Sequence, residues 1–127
     1  MGYSCTVKAS LVLDAIQATF EATVPGTGSN RMPGGGFWER GREQADGAIT
    51  GTTWKLFRKL SDTERAEAAA KMGGNCKPEW IGDPCTRGGS FKISADGKIL
   101  RFPGLSSAQK AAAEAKGAAM FAERYQQ

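Results

Sequence analysis

The sequence has no histidine, only three cysteines, and no apolar run approaching the ~20 residues that cross a bilayer. Each shortage narrows what the chain can do. Without histidine, any acid, base or nucleophile must come from Asp, Glu, Lys, Tyr, Ser or Cys, and none of these clusters in the sequence. Three cysteines without histidine fall short of the four ligands of a structural zinc site, so neither a metal nor a cofactor is expected. The segment Met1-Gly2-Tyr3-Ser4-Cys5-Thr6 lacks a basic region followed by an apolar stretch, which predicts a cytoplasmic protein with no membrane partner. In that compartment Cys76 and Cys85, which bracket a loop, are read as free thiols.

Charge is unevenly distributed. Residues 1–54 carry 4 basic and 5 acidic side chains, and residues 55–127 carry 13 and 8, so the net +4 belongs to the second part of the chain. Such a field favours an anionic partner, and it also serves ordinary solubility.

At 127 residues and 40% apolar content, the chain reads as one domain, 1–127. Tyr3, Cys5 and Val7 alternate with polar residues, which predicts a short first strand. Val12, Ile16 and Phe20 recur at helical spacing with Leu13 beside them, predicting a helix from Ala9 to about Thr23. Pro25 to Gly36 is so rich in glycine that it reads as a flexible loop, and its glycines match no phosphate-binding fingerprint. A hairpin follows, Phe37 to Arg42 and Ala48 to Lys59, turning near Asp46-Gly47. Ser61 with Glu64 forms a capping box for a short helix through Met72 that stops at Gly73-Gly74. Asn75 to Gly89 reads as irregular, pinned to the domain by burial of Trp80-Ile81.

A second hairpin is centred on Asp96-Gly97. A two-residue turn would place residue 95 opposite 98, 93 opposite 100 and 91 opposite 102, with Phe91, Ile93, Leu100 and Phe102 on one face. Lys92 then faces Arg101 on the other. The last helix, from about Ser107 to Tyr125, is capped by Ser106 and Gln109. Its stripe Ala108, Ala111, Ala112, Ala115, Ala118, Ala119 and Ala122 is expected to face the core or a second copy of the chain. Lys110, Lys116 and Arg124 are left for solvent, and Gly117 marks a close packing contact. The predicted fold is therefore α+β: an antiparallel sheet of four or five strands, packed against N-terminal and C-terminal helices, with a short inserted helix.

Asp46, Asp62, Asp83 and Asp96 sit at turn and cap positions and are read as structural. Glu39 and Glu43 are spaced to share one strand face, without an evident metal partner. The informative pattern is cations interleaved with aromatics: Phe37, Trp38, Arg40 and Arg42, then Trp54, Lys55, Phe57, Arg58 and Lys59, then Lys92 and Arg101. Cations neutralise phosphates and exposed aromatic rings stack on bases, so this mixture in strands suits nucleic acid or a nucleotide. Lys92 opposite Arg101 strengthens that reading, because an anion between directly paired cations relieves their repulsion. The candidate ligand-binding set is Arg40, Arg42, Trp54, Lys55, Arg58, Lys92 and Arg101. The expected role is non-catalytic binding of a phosphate-bearing ligand. The alternative is an inhibitor or adaptor that masks a protein partner through an apolar patch near Trp38 or Trp80.

Three stretches carry a resemblance: Met1-Gly2-Tyr3, Asp46-Gly47-Ala48-Ile49-Thr50-Gly51-Thr52, and Gly89-Ser90-Phe91-Lys92-Ile93 leading to Arg101-Phe102-Pro103-Gly104-Leu105. In these the chain resembles small accessory proteins of bacteriophages and mobile elements, including those that counter host defence. The resemblance implies stoichiometric binding of a host protein or a nucleotide signal, and it assigns no individual residue. Residues 52–122 also resemble the sheet-plus-helix DNA-binding modules of the AP2 and integrase type, interrupted by an insertion between Lys59 and Ser90.

Overall fold

The computed structural model describes residues 7–21 and 30–125. The predicted first strand lies outside them except for Val7, which opens a helix instead. That helix, α1 (Val7–Glu21), is followed by β1 (Asn30–Arg31), β2 (Phe37–Glu43), β3 (Ile49–Leu56), α2 (Asp62–Met72), a single 3-10 turn Pro78–Trp80, β4 (Cys85–Ile93), β5 (Ile99–Arg101) and α3 (Ser107–Tyr125). The five strands form one antiparallel meander in the order β1-β2-β3-β4-β5, and the fold is α+β as expected.

The sheet buries one face. Ile49, Gly51 and Thr53 of β3 alternate with half-buried Thr50, Thr52 and Trp54, and Phe91 and Ile93 of β4 alternate with Ser90 and Lys92 in the same way. Onto the buried face α1 sets Ala9, Val12, Leu13 and Ile16, joined by Met32, Trp38, Phe102 and Leu105. Burial of each large apolar side chain contributes roughly 1.5–3 kcal/mol, so α1 and the two central strands dominate the core.

Helix α3 departs from the expected pattern. Ala113 and Gly117 are its buried residues, while Ala108, Ala111, Ala112, Ala115, Ala118, Ala119 and Ala122 are all exposed. The helix lies alongside α1 and meets it through a narrow strip: a Cβ on Gly117 would stand 2.8 Å from Val12 Cγ2 and 3.0 Å from Val12 Cα. The close contact expected at Gly117 is therefore present, on a different stripe. Alanine is too small to declare which side of a helix is covered, and Gly117 is the residue that does.

Both hairpins turn through Ala-Asp-Gly and use one geometry. The Gln44 N–H donates to the Ala48 carbonyl (2.7 Å) and the Gly47 N–H to the Gln44 carbonyl (2.9 Å). Ser94 with Lys98 (2.8 Å) and Gly97 with Ser94 (2.9 Å) repeat the arrangement. Gly47 (φ 90°) and Gly97 (φ 86°) take the left-handed position of a three-residue loop closed by a bulge. Because Ile49 pairs with Ile93, the two turns stand side by side at one end of the sheet.

The extra residue in the second loop corrects the expected register. Ile93 pairs with Ile99 and, across a bulge, Lys92 pairs with Arg101. Ile99 consequently packs on the core and Leu100 points outward, 58% exposed. The glycine-rich stretch also contains more order than expected, since Asn30–Arg31 adds the edge strand to β2 and Met32 is buried.

Between β3 and β4 an arm leaves the sheet, its ends tied by the Phe57 N–H to the Pro84 carbonyl (2.9 Å). The capping box at its start is complete: Ser61 Oγ accepts from the Glu64 N–H (3.1 Å) and Glu64 Oε1 from the Ser61 N–H (3.0 Å). The arm is pinned by polar contacts, because Arg65 donates to the Ile81 carbonyl and to Asp83, which also accepts from the Leu60 N–H (3.1 Å). Trp80, expected to be its buried anchor, is instead 56% exposed.

Glu64 is also gripped by both guanidinium nitrogens of Arg58, at 3.0 and 2.7 Å. That hydrogen bonding, aided by the Ser61 N–H, lowers its carboxyl from 4.5 to about 2. A depressed folded-state value stabilises the arm above about pH 4.5, and the contribution is lost as pH falls towards 2. The protection of α2 amides, corrected for the intrinsic exchange rate, is expected to fall over that window in the wild type. In Arg58→Gln the first cause of the depressed carboxyl is gone, so protection of α2 should already be lower at pH 5 and change less between pH 4.5 and 2 than in the wild type; identical profiles for the two proteins would contradict the pairing.

Candidate ligand-binding face

The face of the sheet opposite α1 carries three cross-strand rows. Arg31 pairs with Phe37, Phe37 with Trp54, and Trp54 with Arg87, so one row spans four strands. Within it the Phe37 and Trp54 rings stack, centroids 5.8 Å apart and 15° from parallel. Both rings are half-buried, and the indole Nε1 of Trp54 is buried without a hydrogen-bond partner. The second row is Glu39, Thr52 and Ser90, and the third is Thr50, Lys92 and Arg101. Arg101 Nε donates to Ser90 Oγ at 3.2 Å, which places its guanidinium stem on this side of the sheet.

The cations Arg87, Lys92 and Arg101 lie in the first and third rows. Elsewhere Arg40 is paired with Glu43, Arg58 with Glu64 and Arg65 with Asp83. Arg87, Lys92 and Arg101 have no carboxylate partner among the described residues. Three cations beside a stacked aromatic pair, with hydroxyls between them, can bind phosphate and a planar ring together.

Comparison with protein-family models, characterised proteins and solved structures finds no match. The placement of the side chains therefore carries the functional argument.

The sheet brings together three members of the candidate set, Trp54, Lys92 and Arg101, and disperses the others. Arg40 pairs with Gly51 on the helix side, where it binds Glu43 (2.8 Å) and reaches Ser10 Oγ of α1 (3.4 Å). Alternation from buried Trp38 puts Arg40 on that side, and Glu43 is brought to it by a bulge between Arg40 and Glu43. It sets Glu39 opposite Thr52 and Glu43 opposite Ile49, so the two carboxylates expected to share a face do not. Arg42 is exposed within the bulge. Arg58 lies beyond β3 and is committed to Glu64. Lys55 is exposed and borders a cleft of about 290 Å³ floored by Gly34, Gly36, Gly88 and Gly104. Trp38 is 4% exposed, packed edge-on against Phe91 and Phe102, so it forms no surface patch.

Arg87 is the residue that sequence reasoning missed. Its segment, rich in Pro and Gly, reads as irregular, whereas β4 already begins at Cys85 and Arg87 lies opposite Trp54. The signal available was Thr86-Arg87 preceding a run that continues in strand spacing to Ile93.

Several other polar groups have structural partners. Asp46 Oδ1 accepts from the Ala48 N–H (3.0 Å), Asp96 from the Ser94 hydroxyl, and Glu114 from the Ile99 N–H (2.7 Å). Lys8 sits over the Phe121 ring at 4.8 Å. Cys76 and Cys85 are free thiols. Burial and then the Asp83 carboxylate push the Cys85 thiol up, against an opposing pull from Arg31, so Cys85 is a poor nucleophile. Among the described residues no group of three His, Cys, Asp or Glu gathers to hold a metal, and no helix is long and apolar enough to cross a membrane.

Proposed function

We propose that this chain is a non-catalytic binding protein that takes a phosphate-bearing ligand, nucleic acid or a nucleotide, on the face of the sheet opposite α1. The observation that carries the reading is Lys92 paired with Arg101 beside the β4–β5 bulge, both without a carboxylate partner among the described residues. Two like charges held across a strand pair repel, and a bound phosphate turns that repulsion into attraction. Phe37 and Trp54 supply the stacking surface for a base.

Arg101→Glu replaces the repelling pair with an attractive one, so the fold should persist with an unchanged melting temperature. Binding to a short oligonucleotide, measured over a salt series beside a panel of linear and cyclic nucleotides, should fall about tenfold or more. Equal binding by both proteins would remove this patch from the site.

A second reading has its own observation. On and beside the arm, Phe57 (66%), Met72 (73%) and Trp80 (56%) are exposed large apolar side chains, of the kind that anchor protein interfaces. If the wild type binds none of the nucleotide probes, a protein partner docking on the arm becomes the leading role, with an affinity that changes little with salt.

A further inference from the structure

Resting on the reading above, we infer that the ligand is single-stranded nucleic acid of about four nucleotides or longer, laid along β3 from the aromatic row to the paired cations. The spacing of the two groups carries the inference. Trp54 and Thr50 are four residues apart on one strand, which separates the Phe37–Trp54 shelf from the Lys92–Arg101 row by about 13 Å. Phosphates of a stacked strand advance about 3.4 Å per nucleotide, so the shelf and the cation pair are about four phosphate steps apart, a span covered by four nucleotides that carry a terminal 3′ phosphate.

Arg87 stands opposite Trp54 and serves the phosphate nearest the stacked base. A mononucleotide satisfied there would leave the repulsion between Lys92 and Arg101 in place, and a longer strand engages both groups. Between them lie the hydroxyls of Thr52 and Ser90, which can bond sugar and phosphate oxygens, and the one carboxylate paired into these rows is Glu39. An unpaired base is required because a duplex keeps its ring faces stacked inside the helix, away from an aromatic shelf.

The test uses the full chain and 3′-phosphorylated oligothymidylates of one, two, four and eight nucleotides, with calorimetry at several salt concentrations. Affinity should rise at least tenfold from one to four nucleotides and then level off. Lys92→Gln should weaken the tetranucleotide, reduce its logarithmic salt slope by about 0.7, and leave the mononucleotide unaffected. Trp54→Leu should weaken every length about tenfold without changing the slope. Should that variant fold poorly, Arg87→Gln, which changes an exposed side chain, should weaken every length as well. Mononucleotide bound as tightly as the tetranucleotide, or a duplex bound more tightly than the single strand, would overturn the extended-strand inference and leave the phosphate-binding reading standing. Failure of every length to bind would overturn both.

Discussion

Replacing Gly51 with alanine is expected to destabilise the protein by about 3 kcal/mol and to lower its melting temperature by roughly 10 °C. Gly51 lies at the centre of the sheet, opposite Arg40 on one side and Phe91 on the other. A Cβ built there would stand 2.2 Å from Phe91 Cε2 and 2.3 Å from the Glu39 carbonyl oxygen. The Phe91 ring occupies the space that a side chain at 51 would need, and the Glu39 backbone is fixed by its place in the ladder. Relief therefore requires the ring to leave its position between Trp38 and Phe102. Urea unfolding of Gly51→Ala measures the effect, and a midpoint equal to that of the wild type would show that the ring does not lie over Gly51.

Phe91→Ala is expected to cost about 3–5 kcal/mol. The side chain is fully buried, stacked on Phe102 at 4.5 Å between centroids and meeting the Trp38 edge at 5.7 Å. Domains of this kind have roughly 5–15 kcal/mol in total, so the variant should stand close to its unfolding midpoint under mild denaturant. The two substitutions should also couple. In the Phe91→Ala background the ring no longer opposes a methyl at 51, and adding Gly51→Ala should cost clearly less than it does alone. Strict additivity in that cycle would assign the clash to the Glu39 carbonyl and not to the ring.

How much of this architecture could be read from the residues depended on whether a feature has chemical punctuation. Asp46-Gly47 and Asp96-Gly97 announce their turns, Ser61 with Glu64 and Ser106 with Gln109 announce their helices, and all four are where they were expected. Bulges carry no such mark. The extra residue near Leu100 moves that side chain from the core to the surface, and the one between Arg40 and Glu43 parts two carboxylates that simple alternation unites. Helix α3 was misoriented because seven alanines fit a covered stripe and an exposed one equally well. The candidate site divides on the same principle. The Lys92–Arg101 pairing survived a wrong register, since the loop and the later bulge each add a residue to opposite strands, whereas Arg87 was lost with the unrecognised start of β4.

The meander has a consequence for how the chain reaches its native state. Every strand pairs with its neighbour in sequence, so most of the sheet can assemble from short-range encounters, a regime associated with rapid folding. The exception is β3 with β4, which must meet across the whole arm before the Phe57–Pro84 bond can close. Closure entropy grows only logarithmically, at about 0.6 kcal/mol for each doubling of the excursion, so an arm of this length slows that encounter modestly. The arm's own polar clamps, Arg65 to Asp83 and Leu60 to Asp83, draw its two ends together and shorten the effective loop. A projection that adds little to the core thus helps to deliver the central strand pair on which the proposed ligand-binding face is built.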